Sequence, residues 1–330
     1  MPELGRGHVL APGARLSRGK TEGRSRRLGE GQVKDLEHVA GGVIVRLGLK
    51  KGQRKEWLVP FKKINNIQIY YEEHGTGYPV LLIQGLGYPC GMWFLQVPEL
   101  AKHFRTILFD NRGVGRTDKP DEQYSVALMA SDAGGLLRSL RIKKAHVVGV
   151  SLGGYIAQEL ALSQPDLVDR LVLLATSCGG PKYMELTKAL WEEVAALAGQ
   201  PPEEIIRQGM ALAATGKFFC EHPELIARSV AIRLENLQPL YAFARQSAAA
   251  MSFNSTDRAH LIRQPTLILA GAQDRVMPLV LTRELARKIP HARLKVFPDA
   301  AHLLFLEKAQ ALNQAIVDFL TSTPRCHPFD

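Results

Sequence analysis

From about residue 61 the chain alternates short apolar runs with longer stretches of helical spacing. NIQIYYEEHG (66–75) alternates apolar and polar positions and carries aromatics, which suits a strand. PVLLIQG (79–85), RTILFD (105–110), AHVVGV (145–150), RLVLLAT (170–176), PTLILAG (265–271) and RLKVFP (293–298) are compact apolar runs of strand length. Between them, 91–104, 125–140 (despite its paired glycines), 152–162, 278–288 and 304–320 have helical periodicity. Strands alternating with helices predict an α/β class protein with right-handed crossovers and a mostly parallel sheet covered on both faces. In such sheets ligands and chemistry gather at the carboxyl ends of the strands.

Residues 179–256 break the alternation. They carry helical stretches at 183–198, 203–213, 222–236 and 238–251 and no clear strand, so a helical cap inserted into the 61–178 and 257–322 core is expected. Its apolar set includes Met184, Leu190, Trp191, Phe218, Phe219, Tyr241, Phe243 and Met251, most of them expected between the cap helices and one or two facing a substrate.

Composition matters chiefly at the N-terminus. The formal net charge is +10. Residues 1–57 hold 13 Lys/Arg against 6 Asp/Glu and 11 of the 29 glycines, leaving a net of only +3 for the rest. Residues 1–60 therefore read as a basic, Gly/Arg-rich disordered leader that buries little apolar surface, and no nucleic-acid partner is expected. Within it only 43–49 and 56–61 are fit to pair as a weak hairpin. PFKKINNIQIYYEEHG reads as the opening of a domain, which puts the expected natural start near Val59, and 323–330 reads as a polar tail. No run of 18 apolar residues exists, so no membrane span is expected. Cys90, Cys178, Cys220 and Cys326 lie far apart with no CxxC pair, which points away from zinc or a disulfide framework and toward a reducing cytoplasm.

The chemistry starts at Gly149-Val150-Ser151-Leu152-Gly153, a GxSxG between a strand and a helix. A turn that sharp forces its central residue into strained angles, and flanking glycines remove the Cβ atoms that would collide. A serine hydroxyl needs a base, and the base an orienting acid. His302 follows RLKVFP in the small-residue loop PDAAH, above the sheet edge, whereas His222, His260, His291 and His327 fall in the cap, connections or tail. Asp274 comes directly after PTLILAG at a strand's carboxyl end; Asp299 is the second choice, and Glu284, Glu307 and Asp318 fall on helices as solvated groups. The order Ser151, Asp274, His302 matches one known triad order. The N–H groups of Leu152, after the serine, and Leu86, in QGLGYP, are the candidate oxyanion donors.

Taken in order, QGLGYP, FDNRGVGRTDKP, GVSLGG, AGAQDRVMP and AAHLLFLEKAQ resemble the successive signatures of the α/β-hydrolase superfamily. Within it, the resemblance is to capped enzymes around 3-oxoadipate enol-lactonases and related esterases, over roughly 62–322. It implies an α/β-hydrolase fold with a sheet of the eight-stranded type, a helical lid, an acyl-enzyme mechanism and no metal or organic cofactor. One departure is Gln84, where the family usually has His before the glycine. Arg112, in the turn FDNRGVGR, reads as a loop brace, with contact to a substrate carboxylate as the alternative. Trp93, Trp191 and Tyr241 are the aromatic candidates for the substrate pocket. Cys90 and Cys178 are placed near it without a paired base.

The expected activity is hydrolysis of a small ester or lactone. C–C bond hydrolysis or a perhydrolase activity on the same triad, and a non-turnover ligand-binding receptor, are the alternatives. Arg228, Arg233 and Arg245 are the cap cations that a substrate carboxylate would meet, although the cap's charges nearly cancel at 7 Lys/Arg against 8 Asp/Glu. Oligomeric state is open.

Overall fold

The structure, a computed structural model, describes residues 57–322 together with the strands β1 (Val33–Val39) and β2 (Gly42–Leu47). β1, β2 and β3 (Trp57–Val59) form a small antiparallel sheet. The pairing of β2 with β3 is the expected hairpin, and β1 is an added strand. The remainder of the expected disordered leader, and the tail from 323, lie outside the described residues.

The main sheet has eight strands in the order β11-β10-β9-β8-β6-β7-β5-β4. They are β4 (Phe61–Ile64), β5 (Ile67–His74), β6 (Pro79–Ile83), β7 (Arg105–Phe109), β8 (Ala145–Val150), β9 (Val168–Leu174), β10 (Thr266–Gly271) and β11 (Ala292–Phe297). β6 through β11 run parallel, and β4 and β5 add an antiparallel edge. β4 was not expected. It pairs with β5 across Asn65-Asn66, whose positive φ angles of 45° and 65° suit a two-residue hairpin turn.

Central strands covered on both faces should be apolar throughout. Every residue of β8 and β10 is buried, whereas the edge strand β11 keeps alternating positions open. Alternation sorts the side chains into two cores. Leu81, Val147, Leu171 and Ile268 join one face with α2 (Val126–Ser139), α3 (Leu152–Ser163) and α9 (Leu279–Lys288). Leu82, Val148, Val172 and Leu269 join the other with α11 (Ala309–Thr321). The paired glycines of α2 are explained by close approach: a Cβ on Gly135 would stand 2.4 Å from Ile64 Cγ2.

Two expected helices differ. Residues 91–104 form a 3-10 turn at Cys90–Trp93 and then only a short α1 (Val97–Leu100), which begins beside Pro98, a residue with no N–H for a longer helix to use. The 304–320 stretch is α10 (Leu304–Glu307) and α11, separated at Lys308 with φ −130° and ψ 34°.

Between β9 and β10 stand α4 (Pro181–Ala195), α5 (Pro202–Ala213), α6 (Gly216–Glu221), α7 (Pro223–Glu235) and α8 (Leu240–Ser252). The chain leaves and re-enters the core side by side, through a bridge of Gly179 with Asn254 and a bond from Ser255 N–H to Cys178 C=O at 2.8 Å. Among the described residues no helix is long and apolar enough to cross a membrane.

Candidate active site

Ser151 ends β8 and opens α3 with φ 55° and ψ −118°, a sparsely populated conformation for a residue with a side chain. Such strain costs about 1–3 kcal/mol and persists only where the surroundings enforce it. The enforcement is visible. Ser151 N–H bonds Leu174 C=O at 2.9 Å, and Ser151 C=O accepts from Gly154 N–H at 2.8 Å and the Thr176 hydroxyl at 3.0 Å. A Cβ on Gly149 would stand 2.2 Å from Gly153 O, and one on Gly153 2.2 Å from Ile83 O, so neither position admits a side chain.

Asp274 and His302 come from loops after β10 and β11 and meet above the same sheet edge. His302 Nδ1 lies 2.9 Å from Asp274 Oδ2, both side chains buried. The other carboxylate oxygen, Oδ1, takes the Met277 N–H at 2.7 Å, which fixes the carboxylate plane. A carboxylate can only accept, so Nδ1 carries the proton and Nε2 is left as the basic nitrogen. The His302 loop is itself held: Ala213 C=O, at the end of α5, accepts from His302 N–H at 3.0 Å. Glu307, read as a solvated helix residue, instead accepts from Ala301 N–H at 3.0 Å and Thr215 N–H at 3.1 Å and braces that loop. Asp299 is exposed and pairs with Lys308, away from His302. The Ser151 hydroxyl makes no hydrogen bond among the described residues; such contacts are often long before substrate binds.

The loop after β6 lies against the elbow. A Cβ on Gly85 would be 3.2 Å from Ser151 Cβ. Neither Leu86 N–H nor Leu152 N–H bonds a protein acceptor among the described residues. Three ties hold this loop. Asn111 donates to Gln84 C=O at 2.8 Å, Asp110 accepts from Cys90 N–H at 2.6 Å, and Gln246 on α8 accepts from Gly87 N–H at 3.1 Å. Burial holds the Asp110 carboxyl above the usual carboxylate range, against the pull of Arg116 and Cys90 N–H. Gln84 turns its carbonyl to Gly85 N–H at 3.2 Å and leaves its buried Nε2 unpartnered.

Ser151, His302, Leu86 and Leu152 share one cavity of about 140 Å³. Tyr88, Tyr155, Trp191, Phe243 and Phe305 make most of its aromatic wall, and Arg233 of α7 faces it. Burial raises the Tyr88, Tyr155 and Tyr183 phenols, so these hydroxyls stay protonated.

Of the four pocket candidates named from sequence, only Trp191 lines this cavity. Trp93 is fully buried behind it, 5.7 Å centroid to centroid from Phe305. Arg112 is also fully buried: Nε and Nη2 reach Asp132 at 2.8 and 3.0 Å, and a further Nη bonds Glu122. It braces the loop and contacts no substrate space. Tyr241 is 41% exposed and donates to Lys119 C=O at 2.7 Å on the outer surface. Cys90 and Cys178 do not line the cavity either, and burial pushes the Cys178 thiol up to about 11. Sequence reading missed Gln246, which accepts from Gly87 159 positions away, and Glu307, which ties Ala301 six positions back to Thr215 92 positions back; neither pairing leaves a local signal.

Comparison with known proteins agrees with this fold. A family model described as the alpha/beta hydrolase fold matches residues 78–309. "Putative non-heme bromoperoxidase BpoC" of Mycobacterium tuberculosis is 32% identical over 259 residues, covering 78% of this chain and 98% of that protein. The enol-lactonase from Burkholderia xenovorans superposes with a TM-score of 0.72 at 26% identity, over 80% of this chain and 100% of its own. A thermophilic esterase from Thermogutta terrifontis gives 0.69 at 29% identity, over 79% of this chain and 97% of its own. With eight strands in this order, a strained serine elbow and a family match over most of its length, the chain belongs to the α/β-hydrolase fold family.

Proposed function

We propose that the protein is a serine hydrolase of small esters or lactones, working through an acyl-enzyme on Ser151, His302 and Asp274. The observation that carries the reading is the Asp274–His302 bond of 2.9 Å standing over the cavity that also holds the strained Ser151. Ser151 Oγ attacks the carbonyl carbon while His302 Nε2 takes its proton. Asp274 keeps Nδ1 protonated and stabilises the imidazolium. The carbonyl oxygen, now an anion, receives the Leu86 and Leu152 N–H groups, the second reinforced by the N-terminus of α3. His302 then protonates the leaving oxygen. It next deprotonates a water that attacks the acyl-serine, and Ser151 is regenerated with release of the acid. These steps use only side chains, backbone N–H groups and water.

The cavity volume of about 140 Å³ and its aromatic wall suit a short acyl group or a small ring. The likeness to a protein named a bromoperoxidase favours one variant, in which hydrogen peroxide rather than water takes the acyl group and a peracid leaves. Hydrolysis of p-nitrophenyl acetate and butyrate, wild type beside Ser151→Ala, tests the reading. Turnover that falls at least about 10³-fold in the variant supports it; equal turnover in both proteins rejects Ser151 as nucleophile.

A further inference from the structure

Among the described residues the cavity wall carries a single side chain of permanent charge, Arg233 in the last turn of α7. Its guanidinium lies over the Tyr88 ring, 4.3 Å from the centroid. One Nη stands 3.5 Å from where a Gly87 side chain would begin, beside the oxyanion loop. Among the described residues no carboxylate lies within ion-pair reach of Arg233 and no acceptor takes any of its N–H groups; Nε is closed off from solvent as well as unpartnered.

The other cap arginines are accounted for. Arg245 pairs with Asp121 at 3.1 Å, and Arg207 with Glu203 at 3.5 Å. Arg228 covers Phe94 in a separate cleft that also holds Asp110, Arg116 and Glu235. Arg233 is different because it faces a mainly apolar cavity and, among the described residues, no protein acceptor receives its planar fork of donors. Removing part of a cation's hydration without an acceptor is unfavourable. The stack on Tyr88 and the helix C-terminus offset part of that cost, yet neither supplies a hydrogen-bond acceptor. A bidentate carboxylate does.

We infer that Arg233 anchors a carboxylate carried by the substrate, so that the preferred substrates are small esters or lactones bearing an acid group. This rests on the hydrolase reading above and narrows it. With the cap almost neutral overall, selection for an anion is local to this one side chain. Its place beside Gly87 puts the anchored carboxylate at the oxyanion-loop end of the cavity.

The test compares p-nitrophenyl butyrate with mono-p-nitrophenyl succinate, a pair of similar size differing in one carboxylate, on wild type, Arg233→Gln and Arg233→Lys. Wild type is expected to favour the succinate in kcat/KM by about tenfold or more. Arg233→Gln should lower that preference by about 10–100-fold, chiefly through KM. Arg233→Lys should restore part of it, since an ammonium keeps the charge and loses the fork. An unchanged preference in Arg233→Gln overturns the inference. So does an equal fall in kcat on both esters, which would place Arg233 on the reacting oxygen. A calorimetric titration of Ser151→Ala with monomethyl succinate keeps the two claims apart. If wild type hydrolyses neither ester, the hydrolase reading fails, while binding that weakens at least tenfold on adding Arg233→Gln still upholds the anion subsite, and equal binding removes it.

Discussion

Replacing Gln246 by methionine isolates the link between α8 and the loop after β6 that is proposed to hold the oxyanion. Gln246 is fully buried on α8 and uses both ends of its amide. Its oxygen accepts from Gly87 N–H at 3.1 Å and Gln238 Nε2 at 3.0 Å, and its Nε2 donates to Arg112 C=O at 2.6 Å. Methionine fills nearly the same volume, so little cavity is created. It leaves the Gly87 N–H and the Arg112 carbonyl without partners. At about 1–3 kcal/mol for each orphaned buried group, the summed cost is roughly 2–6 kcal/mol if the loop stays in place. The loop lowers that cost by moving toward water, and the move carries Leu86 N–H, the proposed oxyanion donor one residue away, off its position. Loss of one oxyanion donor is worth about 10²–10³ in kcat. Partial misplacement should therefore lower kcat on p-nitrophenyl acetate about 10–100-fold with KM held within about threefold, alongside a lower urea midpoint. Stopped-flow turnover and urea titration on the same preparation measure both. Gln246→Met with wild-type kcat refutes the link, whatever happens to its stability.

Arg112→Met should destabilise the protein by about 3–5 kcal/mol, because Asp132 is left buried without its cation and with only the Asn65 amide to bond it, and the preference between acidic and neutral esters should not follow it; urea denaturation and the two-ester assay read this out. His146, on β8 between Tyr78 and Phe104, has its pKa pushed down to about 4 by burial, with Asp169 opposing the shift and Arg170 adding to it. The unfolded chain takes up that proton near pH 6.5, so the stability His146 permits is complete above about 6.5 and is lost as pH falls toward 4. Urea midpoints between pH 7 and 4.5 should fall less steeply in His146→Phe than in wild type, and parallel slopes would contradict the assignment.

Much of the fold was legible because buried parallel strands leave continuous apolar runs. AHVVGV is such a run and is buried along its whole length, and PTLILAG is buried at every position after its leading Pro265. The elbow was legible for a different reason: Gly149 and Gly153 sit where a Cβ would be 2.2 Å from a carbonyl oxygen, a demand that only one residue type meets. Helix rotation was not legible. Tyr241 and Phe243 lie two positions apart on α8, yet the first points outward to Lys119 and the second into the cavity. Arg112 looked available to a substrate because its partner Asp132, on α2, is 20 positions away and carries no mark of the pairing. Arg233 was one of three equivalent cap cations in the sequence, and only the packing of α7 against the loop at Gly87 singles it out.

The central claim is that Ser151 becomes acylated through His302 and Asp274. The most direct measurement is mass spectrometry of the protein after a fluorophosphonate reagent, with the labelled peptide sequenced, for wild type, Ser151→Ala and His302→Ala. The account predicts one adduct per chain, placed on Ser151, absent from Ser151→Ala and formed at least about 10³-fold more slowly in His302→Ala. An adduct on another residue, or labelling of Ser151 at the wild-type rate without His302, would contradict it.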